Sequence, residues 1–499
     1  MSEETGPQQR RGIVTHGASE ETPLLQNDRC STARASTESL NRSENGSTKP
    51  VSDSASVAKP LPKVQIALLC YARMMEPIAF FSIFPYIAQM VKRNGNLPDS
   101  DVGFYSGLIE SVFSGTQTVV LIFWGRLADK VGRKPILIYS LCGLTIGPAL
   151  FGLATSIGEM VLFRSIAGVV SGSSLIIRTM IGDHSTPETQ AVAFSWFAFA
   201  GNVGIFLGPI IGGALADPAN QYPGLFGGIG FFENYPYALP GLVVGAISAT
   251  AALTSMFFLE ETLNTNETLG ESFNSNSEDP DASKMTIWQL IKAPGVGVVL
   301  WIYGHVMFLA FAFTALLPVA LFTPVEIGGL GCSAMQISIY LAAQGGSQAV
   351  WLLFAFPFLQ HRLGTKGVLQ MCATAYPLFF AGYIVMNTLL RDGGQAAMAW
   401  FWILGSVVAF VGPGVSMAFT GVQLALNDVS PAPQQLGTLN AIALTCTSAI
   451  RSVVPGVASA VYAVGVRHQI LWGHLAWVIL IPISMALTVC LKWLHNDGR

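Results

Sequence analysis

The segment GRLADKVGRKPIL, from Gly125 to Leu137, decides the fold because it is a compact basic turn between two long apolar runs. Of the 499 residues, 51% are hydrophobic and only 11% are charged, so charge gathered at one turn is informative. A helix of about 20 mostly apolar residues crosses the ~30 Å hydrocarbon core of a bilayer. The segment therefore predicts two membrane spans whose adjoining helix ends are held in a fixed arrangement. Such spans are typical of a protein that moves a solute across the bilayer.

Twelve apolar runs of sufficient length follow one another along the chain, which predicts an all-α polytopic membrane protein. We number them spans 1 to 12, with predicted ranges 64–91, 102–124, 135–156, 158–181, 190–216, 238–259, 295–322, 335–359, 367–389, 397–426, 436–465 and 471–493. The seven cysteines show no CxxC or other metal-ligand spacing, so we expect no metal and no cofactor. The sequence has no P-loop, HExxH or GxSxG pattern, so it indicates no enzyme, and we expect no nucleic-acid binding.

Basic residues are distributed unequally between the two sides of the predicted membrane. If both termini are cytosolic, 19 of the 26 Lys and Arg residues lie on the cytosolic side and 4 on the opposite side. Cytosolic loops of membrane proteins are enriched in positive charge. We therefore expect both termini in the cytosol and an even number of spans. The remaining three basic residues, Arg73, Arg164 and Arg451, fall inside spans.

Polar segments divide the chain into five parts. We predict a disordered cytosolic tail over 1–62, a six-helix bundle over 63–259, a cytosolic acidic linker with a short amphipathic helix over 260–292, a second six-helix bundle over 293–494, and a cytosolic C-terminus over 495–499. An acidic dileucine pattern in the tail, formed by Glu20, Leu24 and Leu25, is either a signal for a sorting adaptor or accidental. Such a signal favours the vacuolar or lysosomal membrane, and the plasma membrane is the alternative.

Matching turns in the two halves indicate a pseudo-symmetric duplication. GRLADKVGRK follows span 2, and PFLQHRLGTK follows span 8. Alignment of the two segments sets Gly132 on Gly364, whereas His361 stands opposite Asp129. Two six-span halves around a cavity near the bilayer midplane form a known transporter architecture.

The turn after span 2 resembles the loop 2–3 motif of the major facilitator superfamily, G-x-L-a-D-r-x-G-r-k. The resemblance implies twelve transmembrane helices in two six-helix bundles. It also implies that this loop holds the cytosolic ends of facing helices in the outward-open state and releases them on switching. The implied conformational gate comprises Gly125, Arg126, Asp129, Gly132, Arg133 and Lys134. A positive-inside anchor with no moving part is the alternative interpretation.

Span 5 contains GNVGIFLGPIIGG, which resembles the G-x-x-x-G-P-x-x-G-G motif of the twelve-span drug:proton antiporters. Glycines at steps of four share one helix face, where backbones can pack closely, and the proline bends the helix. The motif residues are Gly204, Gly208, Pro209, Gly212 and Gly213. Span 1, CYARMMEPIAFFSIFPYIAQMV, is similar to fungal members related to the zinc-induced facilitator-like and tetracycline-exporter-like groups.

Charged residues inside the spans are candidates for binding and proton transfer, because an ion in hydrocarbon is costly unless it has a partner. A buried carboxyl can bind and release a proton as the cavity changes its exposure. We expect Glu110 to be the coupling carboxyl and Glu76 to be second or a ligand for a cationic substrate, although either could be structural. The predicted substrate cavity comprises Arg73, Glu76, Phe80, Glu110, Arg164, Tyr303 and Arg451.

Together these features predict a secondary active transporter that works by alternating access and exchanges protons for a small organic or drug-like solute. An uncoupled facilitator or a proton symporter of the same fold is the nearest alternative. A nutrient sensor that signals without transport is another. The expected partners are a small-molecule substrate, protons and the lipid bilayer, and we expect a monomer.

Overall fold

The computed structural model describes residues 61–186, 189–263, 287–431 and 436–494, so the dileucine pattern and the segment 495–499 lie outside the described residues. This part of the chain is helical, with no β-strand among the described residues. Eleven of its helices are long and apolar enough to cross a bilayer. One of them, Ala334–Asp392, is 59 residues long and turns at Gly364, whose φ of +69° is not helical, so it contains both span 8 and span 9. The predicted all-α polytopic fold is confirmed, with twelve crossings.

The spans lie close to their predicted ranges. In the first half they are span 1 at Lys63–Phe81 and Ile87–Gly95, span 2 at Asp99–Val131, span 3 at Arg133–Gly152, span 4 at Ile157–Val170 and Ser173–His184, span 5 at Gln190–Leu215 and span 6 at Ala238–Phe258. In the second half they are span 7 at Val296–Phe322, spans 8 and 9 through Ala334–Val350, Trp351–Ala355 and Phe356–Asp392, span 10 at Gln395–Phe410, Gly412–Ser416 and Met417–Asp428, span 11 at Leu436–Arg467 and span 12 at Leu475–Cys490. Short helices lie between spans 5 and 6 at Pro218–Gln221, Pro223–Phe226 and Gly230–Asn234, and before span 7 at Ile287–Lys292.

Spans 1, 4 and 10 are interrupted, whereas the hydropathy pattern predicts three continuous helices. In span 4 the interruption at Gly172 frees backbone groups, and inside a bilayer such groups need partners within the protein. Ser140 of span 3 supplies them: its hydroxyl donates to the Val170 carbonyl at 2.8 Å and accepts from the Gly172 N–H at 3.0 Å. A single serine on a neighbouring helix therefore stabilises the interruption.

Span 10 is interrupted because Pro413 has no N–H to donate and the chain tightens into a 3₁₀ turn, Gly412–Ser416. The Phe410 carbonyl, at the end of the preceding helix, instead accepts from Ser347 Oγ at 2.5 Å and from Trp351 Nε1 at 2.8 Å. Trp351 begins a short π-helical segment of span 8. The two irregular segments thus pack against each other in the second half.

Equivalent turns in the two halves support the predicted duplication. Gly132 and Gly364 both have positive φ, +117° and +69°. Each turn is bound to the end of the sixth span of its half. In the first half Glu261, just after span 6, accepts backbone N–H groups at the start of span 3. In the second half Lys366 Nζ donates to the carbonyl of Leu494, just after span 12. We call the end of the bundle that carries these turns the motif end and the other the opposite end.

The two halves meet where span 2 packs on span 11 and where span 5 packs on span 8. Polar contacts of the described residues across the first of these interfaces run from an ion pair of Asp101 with Arg467, at 3.8 Å, to a hydrogen bond from Thr118 Oγ1 to the Ser448 carbonyl, at 3.3 Å. One helical turn nearer the motif end, on the same face of span 2 as Thr118, Ile122 is 66% exposed. The halves are therefore closed at the opposite end and separate toward the motif end.

The glycines of span 5 lie against span 1. A Cβ atom on Gly204 would lie 2.7 Å from the Met74 carbonyl oxygen, and one on Gly208 would lie 2.9 Å from the Phe81 Cβ. Gly212 faces the backbone of span 1 at Ser82. Both distances are shorter than a normal van der Waals contact, so glycine permits the close approach of the two helices.

Span 5 uses the remaining motif residues to contact span 8. The Pro209 carbonyl accepts a hydrogen bond from Ser338 Oγ at 2.5 Å, and Gly213 lies against the same serine. The motif therefore packs on both halves of the molecule, and the inference of antiport stays a prediction.

We expect Gly208→Ala to lower the thermal unfolding temperature of the detergent-solubilised protein, because an added methyl group overpacks the contact with span 1 at a cost of about 1–3 kcal/mol. Gly158→Ala is the matched control: it lies in a helix with nothing within 4 Å of the added Cβ, and it should leave stability equal or slightly higher. Equal unfolding temperatures for the two variants would contradict the packing interpretation.

Candidate functional site

Two carboxylates hold the loop between spans 2 and 3. Arg133 Nη1 forms an ion pair with Asp183 at the end of span 4. The Glu261 carboxylate accepts hydrogen bonds from the backbone N–H groups of Arg133 and Lys134, both at 3.0 Å, and so caps the N-terminus of span 3. A Cβ on Gly132 would lie 2.7 Å from Glu261 Oε2, so a side chain there would displace the cap. The acidic linker therefore begins as part of this site, which the sequence did not indicate.

The other predicted gate residues make few contacts in this conformation. Arg126 and Asp129 are exposed and form no hydrogen bond or ion pair with another described residue. Gly125 faces span 4, where an added Cβ would lie 3.3 Å from Leu175 Cδ2. Separation of the halves at the motif end explains why the Asp129 side chain has no partner among the described residues, and the gating role of the six residues stays a prediction.

Removal of the cap should destabilise the protein. We expect Glu261→Ala to lower stability by about 1–2 kcal/mol, because the helix dipole loses its compensating charge and four backbone N–H groups lose their acceptor, two at the start of span 3 and two in Thr262 and Leu263. Glu260→Ala is the matched control, since only its backbone N–H takes part in a described hydrogen bond, to Gln65 at 3.1 Å. Thermal unfolding in detergent distinguishes them, and equal losses in both variants would exclude a capping role.

Glu76 of span 1 is held by the interruption in span 4. Its carboxylate accepts hydrogen bonds from Gln117 Nε2 at 2.8 Å, Ser173 Oγ at 2.9 Å, and the backbone N and Oγ of Ser174 at 3.1 and 2.6 Å. Ser173 and Ser174 begin the second helix of span 4, so the carboxylate also meets a helix N-terminus. Four donors and a favourable dipole stabilise the ionised form of this carboxylate.

Arg73 lies one helical turn before Glu76, on the same face of span 1. Its guanidinium lies over the Phe197 ring, 4.7 Å from the ring centroid, and next to Gly201 of span 5. The charges of Arg73 and Glu76 interact, although no hydrogen bond joins the two side chains among the described residues. Arg73 is therefore packed between spans 1 and 5.

Glu110 of span 2 has a different environment. It is only 4% exposed and forms no hydrogen bond or ion pair with another described residue. Arg451 and Arg164 are the positive charges that act on it. Both guanidiniums lie over the Phe80 ring, at 4.6 and 5.2 Å from its centroid, and that of Arg164 also lies 4.3 Å from the Phe113 centroid. We call Glu110, Arg164, Arg451 and Phe80 the charge cluster.

Arg164 is incompletely paired within this cluster. It is buried, and its Nε and Nη2 atoms have no hydrogen-bond partner among the described residues. Arg451 belongs to span 11 and Glu110 to span 2, so their attraction crosses the interface between the halves. A change in the charge of Glu110 would therefore change an interaction between the two halves.

A cavity of about 280 Å³ lies beside the charge cluster, mostly within the second half. Six of its lining residues are phenylalanines, namely Phe81, Phe84, Phe311, Phe313, Phe379 and Phe419. Hydrogen-bonding groups are contributed by Thr314, Gln344, Gln348, Tyr376 and Ser416. The irregular turn of span 10 forms one wall, so the interruption of that span shapes the cavity.

The seven residues of the predicted substrate cavity do not line this cavity. Tyr303 is buried in the second half, where its hydroxyl is 3.3 Å from Thr447 Oγ1. The other six group around Glu76 and Glu110 in the first half and at the interface. Their contact with substrate stays a prediction, whereas the cavity residues of spans 7 to 10 were missed because apolar periodicity does not separate a cavity wall from a packed core.

Loss of the Glu76 carboxylate should destabilise the fold more than loss of the Glu110 carboxylate. In Glu76→Gln one oxygen is replaced by an NH₂ group that faces donors, so buried donors lose their acceptor at about 1–3 kcal/mol each. Glu110→Gln removes no described hydrogen bond. We expect a clearly lower unfolding temperature for Glu76→Gln alone, and a larger loss in Glu110→Gln would contradict this assignment.

Comparison with known proteins agrees with this geometry. Residues 69–455 match the family model of the Major Facilitator Superfamily. The chain is 39% identical over 433 residues to the efflux pump azaK of Aspergillus niger, covering 87% of this chain and 88% of that protein. It is 26% identical over 420 residues to the protein Zinc Induced Facilitator-Like 1 of Arabidopsis thaliana, covering 81% and 84%.

A solved structure shares the fold. It is a bacterial homologue of the human lysosomal transporter Spinster in an inward-facing and occupied conformation, with a TM-score of 0.62 and 17% identity over 89% of this chain and 99% of that chain. The resemblance read from the loop 2–3 motif is confirmed, as is the expectation of a transporter rather than an enzyme. The chain is a multi-pass membrane transport protein that belongs to the Major Facilitator Superfamily.

Proposed function

We propose that this protein exports a small organic solute in exchange for protons by alternating access, with Glu110 as the proton-binding group. The contrast between the two buried acids carries the proposal. Glu76 accepts four hydrogen bonds, whereas Glu110 has none from a described residue. A carboxyl without fixed donors can gain and lose a proton with little rearrangement, whereas a carboxylate that satisfies four donors cannot.

The position of Glu110 couples its charge to the conformational change. Ionised Glu110 attracts Arg451 across the interface between spans 2 and 11, and protonation weakens that attraction. The equilibrium between the conformations then depends on the proton, by as much as the two conformations differ in their affinity for it. Arg164, whose Nε and Nη2 atoms have no hydrogen-bond partner in the described part of the chain, keeps a positive charge beside the carboxyl in either state.

We propose further that the motif end is cytosolic and that both termini lie on that side, so that this conformation is open to the cytosol. The distribution of 19 basic residues against 4 supports this orientation. The exposed Asp129 side chain, which has no partner among the described residues, fits a motif end that is open. We also propose a vacuolar or lysosomal location for a monomeric protein, with a sorting adaptor bound to the tail.

Proteoliposomes with an imposed pH gradient test the coupling. We use three coumarin dyes that share one ring system and carry a neutral carboxamide, a carboxylate or a quaternary ammonium group. Neutral, anionic and cationic solutes are thus all tested. In the wild type we expect the gradient to accelerate flux of at least one dye several-fold. Glu110→Gln should abolish that acceleration while dye–dye exchange without a gradient persists, because the substituted carboxamide cannot carry a proton.

Glu326→Gln is the matched control, because Glu326 is an exposed carboxyl in the 3₁₀ turn after span 7 and should not affect coupling. Undiminished pH dependence in Glu110→Gln would exclude Glu110 as the proton site. Gradient-independent flux in the wild type would indicate an uncoupled facilitator, and acceleration only when dye and proton move together would indicate a symporter. Absence of flux for all three dyes would favour a sensor.

A further inference from the structure

The cavity next to the charge cluster has no charge of its own. None of its 19 described lining residues is Asp, Glu, Lys, Arg or His. Four of them, Phe81, Phe84, Ile205 and Pro209, belong to the first half, and the rest belong to the second half. An ion moved from water into such a site loses its hydration and gains no counter-ion, which is costly. The cavity therefore selects against solutes with a net charge.

Aromatic rings give the cavity its shape preference. Phe313 and Phe379 have ring centroids 4.8 Å apart, and Phe81 and Phe84 have centroids 5.2 Å apart on the facing span. Rings arranged in this way favour a flat aromatic body, which can stack on one ring and meet others edge-on. The volume of about 280 Å³ is near the lower limit of ~300–1,000 Å³ for small-molecule sites.

One hydroxyl in the cavity lacks a hydrogen-bond partner among the residues that the structure describes. Ser416 is 6% exposed, and its Oγ forms no hydrogen bond with a described residue. A buried polar atom without a partner costs free energy, so in native proteins it usually serves a ligand or an ordered water. Ser416 lies in the 3₁₀ turn of span 10. The carbonyl of Phe410, just before this turn, is bound by Ser347 and Trp351 of span 8, so the hydroxyl is positioned by a rigid segment.

Gln344 is held in a fixed orientation at the same cavity. Its Nε2 donates to the Tyr383 hydroxyl at 2.9 Å, and that hydroxyl is 3.0 Å from the Tyr340 hydroxyl. Tyr383 in turn stacks on Trp477, with centroids 4.9 Å apart and an interplanar angle of 8°. The Gln344 carbonyl oxygen has no described partner, which leaves it as an acceptor for a ligand. Gln348, one helical turn further along span 8, has a side-chain amide free of described hydrogen bonds.

We propose that the transported solute is an uncharged, flat aromatic compound with hydroxyl or carbonyl groups, bound in this cavity by Gln344, Gln348 and Ser416. This inference rests on the proposed function, because it names the substrate class of the same transporter. The charge cluster then binds the proton and not the solute. Phe80 and Phe81 separate the two sites, since Phe81 lines the cavity while the adjacent Phe80 ring, 5.1 Å away, carries both guanidiniums.

Equilibrium binding to the detergent-purified full chain tests this proposal without transport. Dissociation constants are measured by fluorescence for the same three coumarins. The neutral carboxamide should bind about ten-fold or more tightly than the carboxylate or the quaternary ammonium compound, because only the charged forms must be desolvated without a partner. Equal or tighter binding of either charged coumarin, or no saturable binding of the neutral one, overturns the proposal.

Charge substitution at the cavity gives a second test. Gln344→Glu should shift the ratio of dissociation constants at least ten-fold in favour of the quaternary ammonium coumarin, because it provides the missing counter-ion. Gln370→Glu, the same substitution at an exposed position of span 9, should leave the ratio unchanged. If Gln344→Glu does not fold, Gln348→Glu at a half-buried position supplies the same measurement. A folded cavity variant with an unchanged ratio overturns the proposal.

The two proposals fail in distinguishable ways. Binding of the neutral coumarin with no proton-dependent flux would contradict the proposed exchange and leave the substrate class standing. Proton-dependent flux of a charged coumarin, with no binding of the neutral one, would contradict the substrate class and leave the exchange standing.

Discussion

Every backbone polar group freed inside the bilayer needs a partner from the protein, and this requirement organises the rest of the molecule. The interruption of span 4 is possible because Ser140 binds two of the groups it frees, the Val170 carbonyl and the Gly172 N–H. The new helix N-terminus produced there then needs an acceptor, which Glu76 provides. The interruption of span 10 likewise depends on Ser347 and Trp351 of span 8. The irregular segments of spans 4 and 10 are thus fixed by side chains of neighbouring spans.

This requirement also separates the roles of the buried acids. Glu76 is committed to four donors and acts as a fixed negative charge that balances nearby arginine. The Glu110 carboxyl accepts no hydrogen bond from a described residue. The positive charges of Arg451 and Arg164, whose guanidiniums lie over the Phe80 ring, act on it through electrostatic attraction. Guanidiniums placed on aromatic faces are stabilised without full pairing, so they remain responsive to a change in charge nearby.

The sequence predicted the features that depend on composition and local pattern. Long apolar runs predicted the spans, and steps of four in span 5 predicted the glycine face that meets span 1. It did not predict the interruptions, because hydropathy averages over a window and does not register a carbonyl that finds a serine on another helix. Glu261 was read as part of a solvated linker for the same reason: its role as a cap appears only when the end of span 6 reaches the start of span 3.

The cavity was the least predictable feature, and its asymmetry explains why. Buried charge, the strongest sequence signal for a site in a membrane, is concentrated in the first half and at the interface, whereas 15 of the 19 cavity residues belong to the second half and are uncharged. Phenylalanines, glutamines and a serine at helical spacing look like ordinary packing residues. For the proposed exchange such a division has a physical advantage, since an uncharged solute and a proton require opposite environments. A low-dielectric wall suits the first, and adjacent positive charge with a titrating carboxyl suits the second.

Span 1 connects the two sites, because Phe80 supports the guanidiniums while Phe81, the next residue, forms part of the cavity wall. Movement of this one helix segment would therefore change the environment of both sites. Coupling between a solute and an ion requires at least such a shared structural change.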